Sequence, residues 1–217
     1  MKKGCLFDLD GTLVNSIEDL ALSANEVLEK YHFPLHDLKD YYQFVGNGVR
    51  KLMERALPQD QLHYLDECLE EFQKVYQRRC LEHTKAYDGI KELLDDLKQE
   101  QIQLAVVTNK PHYLAVKIVE TLFPQTFTAI YGQQDLYPVK PAGDSSLMAL
   151  MAMKLRKEEC FFIGDSNVDI QTGQNVEMDT IGVCWGFRNR QELENEGATY
   201  VVESPEEIKV IINENRC

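Results

Sequence analysis

No stretch of this 217-residue chain approaches the roughly 20 consecutive apolar residues that a membrane-crossing helix needs. Positive charge is scarce as well. Lys and Arg number 23 against 36 Asp and Glu, a formal charge of −13, and the basic residues form no long cluster. A polyanion-binding surface is disfavoured by that balance, so neither DNA nor RNA is an expected partner. The six cysteines (Cys5, Cys68, Cys80, Cys160, Cys184, Cys217) include no C-x-x-C pair. Several lie in apolar runs and read as small buried hydrophobes in a reducing, cytoplasmic setting. The five histidines lack ligand spacing and read as surface or helix-end residues. Lys2 and Lys3 precede only a handful of apolar residues before Asp8, so no secretory leader is expected. Internal repeats, low-complexity tracts and long linkers are also missing. What is there, 44% apolar and 27% charged residues, suits a soluble globular protein of one large or two small domains.

The chain is organised around Cys5-Leu6-Phe7-Asp8-Leu9-Asp10-Gly11-Thr12-Leu13-Val14. A short apolar run predicts a buried strand, and Asp8 and Asp10 belong where that strand leaves the sheet, since buried strands do not tolerate free charge. If the backbone is still extended, the two-residue period turns both carboxylates to one side. Gly11 then permits a turn. Crowded carboxylates repel unless a cation or a proton holds them together, and oxygen-only ligands suit Mg²⁺.

From Ser16 to about His83 the pattern is helical. Ser16-Ile17-Glu18-Asp19 resembles a helix start, and Ile17, Leu20, Ala21, Ala24, Val27, Leu28 and Tyr31 share one face before Pro34. Asn47 to Leu57 is a second helix. Leu62, Leu65, Leu69, Phe72 and Tyr76 form a third stripe, read as the core of a small bundle rather than as a dimer seam. From Tyr87 onward strands and helices alternate. Strands are expected at 102–107, 127–131, 160–163, 180–184 and 199–202, with helices between them and a terminal helix opening at Pro205. Alternation of this kind implies an α/β fold with a mainly parallel sheet covered on both faces. The opening strand must join that sheet. The sequence therefore predicts a discontinuous α/β core (residues 1–14 and 86–217) interrupted by a helical segment (residues 15–85).

Ligands of open α/β sheets bind beyond the carboxyl ends of the strands. Three further predicted strand ends carry polar groups there: Thr108-Asn109-Lys110, Lys140-Pro141, and Gly164-Asp165-Ser166-Asn167-Val168-Asp169. Four-residue spacing brings Asp165 and Asp169 to one side if a helix begins at once. Each group has a plain reading too: Thr108 as a helix N-cap, Lys140 as a solvated loop lysine, Asp165 and Asp169 as cap and first-turn acid. Their coincidence at four strand ends favours a site.

In order and spacing these four segments resemble the motifs of the haloacid-dehalogenase-like phosphohydrolases. The segment after the first motif looks like the small α-helical cap of that superfamily, on a Rossmann-like core. Gly46-Asn47-Gly48, with Arg50 and Leu52 to Leu57, is similar to the cap of phosphoglycolate phosphatases. The resemblance implies Asp8 as nucleophile, Asp10 as acid and base, Thr108 as donor to the phosphoryl oxygens and Lys140 as counter-charge. It implies Mg²⁺ held by Asp8, Asp165 and the Asp10 carbonyl, with Asp169 beside the metal or orienting Lys140. Thr12, Asn109, Gly46, Asn47, Gly48 and Arg50 are the implied substrate contacts. The expected partner is a small phosphorylated metabolite, phosphoglycolate first, bound by a monomer or homodimer. The acid at Asp10 favours phosphate esters over haloacids and phosphonates. A sugar-phosphate mutase, a pyrophosphatase and a non-catalytic binding protein are the alternatives on the same core.

Some positions depart from the pattern. Asn15 stands where many relatives carry aspartate. Ala142-Gly143-Asp144 follows Lys140-Pro141 loosely, and Val176-Glu177-Met178-Asp179 replaces a glycine turn. Arg188 and Arg190, after Trp185-Gly186-Phe187, are read as ordinary surface charges.

Overall fold

The computed structural model describes residues 1–215, so Cys217 lies outside the described residues. Strand β1 (Gly4–Phe7) and the two-residue β2 (Val14–Asn15) lead into four helices. These are α1 (Ile17–Lys30), α2 (Leu38–Phe44), α3 (Val49–Ala56) and α4 (Leu65–Arg79). The chain returns through β3 (Lys85–Ala86), then α5 (Ile90–Gln99), β4 (Gln103–Pro111), α6 (His112–Leu122) and β5 (Ala129–Gln133). It ends with α7 (Asp144–Met153), β6 (Cys160–Gly164), α8 (Asn167–Asn175), β7 (Asp179–Val183), α9 (Arg190–Asn195), β8 (Tyr200–Val202) and α10 (Pro205–Glu214).

Six strands form one sheet in the order β5-β4-β1-β6-β7-β8, every adjacent pair parallel. The opening strand is thus central, with Phe7 level with Val106 on one side and Ile163 on the other. Successive residues of a strand face opposite ways, and here both faces are apolar. Cys5, Phe7, Leu104, Val106, Phe161 and Ile163 pack with α5, α6 and α10 residues such as Leu94, Ile118 and Ile208. Leu6, Ala105, Val107 and Phe162 pack with Ala149, Leu150 and Met153 of α7. Each fully buried phenylalanine stabilises the fold by roughly 1.5–3 kcal/mol.

Helices α1 to α4 pack on one another, and Tyr41, Leu52, Met53, Phe72 and Tyr76 are buried there. The third stripe therefore faces a core, most completely at Phe72 and Tyr76. Where the chain leaves for these helices and returns, β2 and β3 pair antiparallel, Val14 with Ala86 and Asn15 with Lys85. Helices α2 and α9 are additions to the sequence reading. Each buries a single residue, Tyr41 or Leu193, so neither has an apolar stripe to detect. At the loosened turn after α8, Glu177 takes a left-handed φ of 55°, the conformation for which glycine is the usual choice.

Asp19 of α1 is fully buried and binds the returning chain, accepting from the backbone N–H groups of His83 and Thr84 and from Thr84 Oγ1. Glu82 and His83 lie close enough to suggest a metal cluster, but the Asp19 oxygens are spent on these donors. Asp19→Ala leaves the donors without their acceptor and is expected to cost about 3 kcal/mol of unfolding free energy. Urea unfolding at constant m-value measures it, and a loss below about 1 kcal/mol would contradict the role.

Candidate active site

The parallel register brings the ends of β1, β4 and β6 to one edge of the sheet. Asp8 follows β1 immediately, and its N–H donates to Ile163 O of β6 at 2.9 Å. Asp165 follows β6. Thr108, Asn109 and Lys110 remain inside β4, which runs to Pro111 rather than stopping at Val107 as the sequence suggested. All three are buried polar residues, which a hydropathy reading takes for a strand exit. Lys140 reaches the same edge from the loop after β5. Its backbone is held by Asn109, whose Oδ1 accepts from Lys140 N at 2.8 Å and whose Nδ2 donates to Lys140 O at 3.1 Å.

Lys140 is the hub of a buried charge cluster. Its Nζ lies 2.7 Å from Asp8 Oδ1 and 2.6 Å from Asp169 Oδ1. The other Asp169 oxygen accepts from Ser166 N and Ser166 Oγ, the capping box of α8. The plain reading of Asp169 as a first-turn acid therefore holds alongside its contact with Lys140. Asp165 Oδ1 accepts from Thr12 Oγ1 at 3.2 Å and Oδ2 from Phe187 N at 2.7 Å. Gly11, at φ +94°, and Gly186 let the backbone crowd this carboxylate; a Cβ on Gly11 would sit 2.3 Å from Asp165 Oδ2.

Carboxylate oxygens of Asp8, Asp165 and Asp169 lie within 4.8 Å of one another, all buried. Burial pushes Asp8 up to about 6, with Asp169 and Asp10 adding to the rise and Lys140 opposing it. Asp165 is pushed well above the carboxylate range by burial, then by Asp169 and Asp8. Burial acts to lower Lys140, but Asp169 and Asp8 outweigh it and hold the ammonium above its usual range. One ammonium among three carboxylates leaves excess negative charge. The set fits a hard divalent cation with oxygen ligands such as Mg²⁺.

A small cavity of about 40 Å³ opens above this cluster, room for a few water molecules. Asp8, Asp10, Thr108, Asn109 and Lys110 form its floor, and Leu20, Val45, Gly46, Gly48, Val49 and Leu52 of the helical segment its roof. Sequence-predicted residues thus meet here from both parts of the chain. Lys140, Asp165 and Asp169 do not line it, and neither do three of the implied substrate contacts. Thr12 is fully buried against Asp165, Asn47 Oδ1 accepts from Arg55 Nη2, and exposed Arg50 pairs with Asp66.

Two residues acquire contacts that the sequence reading did not assign. Arg188 is not a surface charge. Its side chain is 10% exposed and donates to Tyr42 O and Val45 O at the end of α2, joining the loop after β7 to the helices. Arg190, by contrast, pairs on the surface with Glu203 and Glu194. Lys110 lies under Asp10 in the cavity floor, and no spacing rule marks it.

A family model described as haloacid dehalogenase-like hydrolase matches residues 5–183. The phosphoglycolate phosphatase of Colwellia psychrerythraea is 31% identical over 217 residues, covering 96% of each chain. That of Aquifex aeolicus is 32% identical over 188 residues, covering 84% of each. A solved structure from Lactobacillus delbrueckii subsp. bulgaricus is similar with a TM-score of 0.92 at 31% identity, over 98% of this chain and 99% of that one. A central strand followed at once by Asp8, a buried Lys140 and an acidic cluster after β6 thus occur in a chain matched along nearly its whole length. The chain belongs to the haloacid dehalogenase-like hydrolase family.

Proposed function

We propose that this protein is a Mg²⁺-dependent phosphatase acting on a small phosphate monoester, with phosphoglycolate the first candidate, through an aspartyl-phosphate intermediate. The observation that carries the reading is the convergence of Asp8, Asp10, Thr108, Lys140 and Asp165 on one edge of the sheet. The substrate choice rests on the phosphoglycolate phosphatase relatives and on the small cavity roofed by Gly46, Gly48 and apolar helix residues. Residues 15–85 act as the cap and residues 1–14 with 86–217 as the catalytic core. The setting is cytoplasmic.

In this reading Asp8 attacks phosphorus, forming a P–O bond as the ester oxygen departs. Asp10 gives its proton to that oxygen, then takes one from the water that attacks the aspartyl phosphate, which frees inorganic phosphate and restores Asp8. Thr108 Oγ1 accepts from Lys110 N, so its own proton is available to a phosphoryl oxygen. Lys140 offsets charge on Asp8 and on the phosphoryl group. Asp8, Asp165 and the Asp10 carbonyl would hold Mg²⁺, with Asp169 orienting Lys140. The ion supplies charge neutralisation for a dianion approaching a carboxylate.

Phosphate release from phosphoglycolate in Mg²⁺, before and after EDTA, tests the proposal. Turnover is expected to fall at least ~10³-fold in EDTA and to return with added Mg²⁺. Persistent activity in EDTA would overturn the metal requirement. Hydrolysis of other small esters with none of phosphoglycolate would overturn the substrate.

A further inference from the structure

Lys110 carries the one buried ammonium in the cavity floor that the mechanism above leaves without a task. Its side chain is 1% exposed, and Nζ reaches Asp10 Oδ1 at 2.9 Å, Asp10 Oδ2 at 3.0 Å and the Tyr76 hydroxyl at 2.5 Å. The same nitrogen lies 4.6 Å from the centroid of the Tyr76 ring. A lysine has three protons to donate, and three acceptors already take them. None is left for a substrate, so a direct substrate contact fits this geometry poorly. A positioning role fits it well.

We propose that Lys110, anchored by Tyr76 of helix α4, is the positioning residue that orients Asp10 toward the leaving group. The proposal rests on Asp10 serving as acid and base. Lys110 bonds both carboxylate oxygens and so fixes the rotation of the group. Ser16 Oγ adds a second bond to Oδ1 at 2.5 Å, which leaves Oδ2 with the lone pair best able to carry the transferable proton. Tyr76 accepts from Lys110 and so ties the ammonium to helix α4. Ser16, Asp10, Lys110 and Tyr76 therefore form one hydrogen-bonded chain. One member comes from the helices, one from the passage into them and two from the sheet edge. The orientation of the acid thereby depends on where α4 sits.

Leaving-group dependence provides the test. Phosphoglycolate and a neutral alkyl phosphate expel alkoxides that need a proton, whereas nitrophenyl phosphate expels a stable anion that does not. Because kcat/KM reports the first chemical step, it isolates protonation of the leaving group from the later water attack. Lys110→Met is expected to lower kcat/KM about 100-fold for both alkyl esters and less than about 5-fold for nitrophenyl phosphate. Tyr76→Phe, which removes a single oxygen, should show the same selectivity at about a tenth of that size, and it carries the test alone if Lys110→Met fails to fold.

Equal losses on all three substrates, or none, would overturn the proposal. So would a loss confined to phosphoglycolate, which would assign Lys110 to the substrate carboxylate instead. Wild-type protein inactive on every ester would overturn the phosphatase reading and this proposal with it. An active wild type with unselective variants would overturn the proposal alone.

Discussion

Asp8→Asn is expected to fold normally and to lose at least ~10⁴-fold in kcat toward phosphoglycolate, because an amide cannot supply the attacking oxygen. Its stability should also depart from wild type in a pH-dependent way. Asp8 is raised from 3.8 to about 6 in the folded protein, chiefly by burial. The native state therefore holds this proton more tightly than the unfolded state does. The Asp8 contribution is fully favourable below about pH 4 and is lost as pH rises through about 6.

Asparagine removes that penalty. In EDTA the variant should match wild type near pH 4 and exceed it by about 2 kcal/mol at pH 7.5. Bound Mg²⁺ offsets the same repulsion, so the gap should close when the metal is added. Paired urea titrations at the two pH values decide this. A variant less stable than wild type at pH 7.5 in EDTA, or retaining a tenth of the turnover, would remove Asp8 from its place in the mechanism.

Lys140→Met should have the second-largest effect, and it falls on stability and rate together. Nζ is the ammonium that pairs with Asp8 and Asp169, both buried, and its removal leaves three carboxylates facing one another. Breaking a buried ion pair from one side costs about 3–5 kcal/mol. The loss should be largest at pH 7.5 in EDTA and shrink toward pH 4, where Asp8 takes up a proton. Mg²⁺ should restore part of the stability. It should not restore kcat, expected to fall about 10³-fold for want of a fixed cation beside the phosphoryl oxygens. Unchanged stability at pH 7.5 in EDTA would show that Lys140 does not hold the cluster together.

Much of the fold was legible because parallel strands buried on both faces are continuous apolar runs. Leu104 to Val107 and Cys160 to Ile163 needed no partner to be recognised. Elements with one buried residue, α2 and α9, carried no such pattern. The paired passages β2 and β3 are two residues each, too short to show any period. Among the candidate residues, those fixed by a strand end were placed near one another by topology alone. Arg50 and Asn47 were not: Arg50, on the surface of α3, points at Asp66, and Asn47, in the bend before that helix, accepts from Arg55.

Composition, periodicity and the four polar segments determined by themselves the mainly parallel α/β sheet, the membership of the first strand in it and the grouping of Asp8, Lys140 and Asp165. These follow from local pattern and from the rule that parallel strands present their carboxyl ends together. The central place of the first strand came from the structure. Tertiary structure alone decided that Arg188 reaches the carbonyls of Tyr42 and Val45, and that Lys110 meets Tyr76 beneath Asp10. Those contacts join residues far apart in the chain. Side-chain direction and the packing of the helices against the sheet settle them, and neither quantity is encoded in spacing.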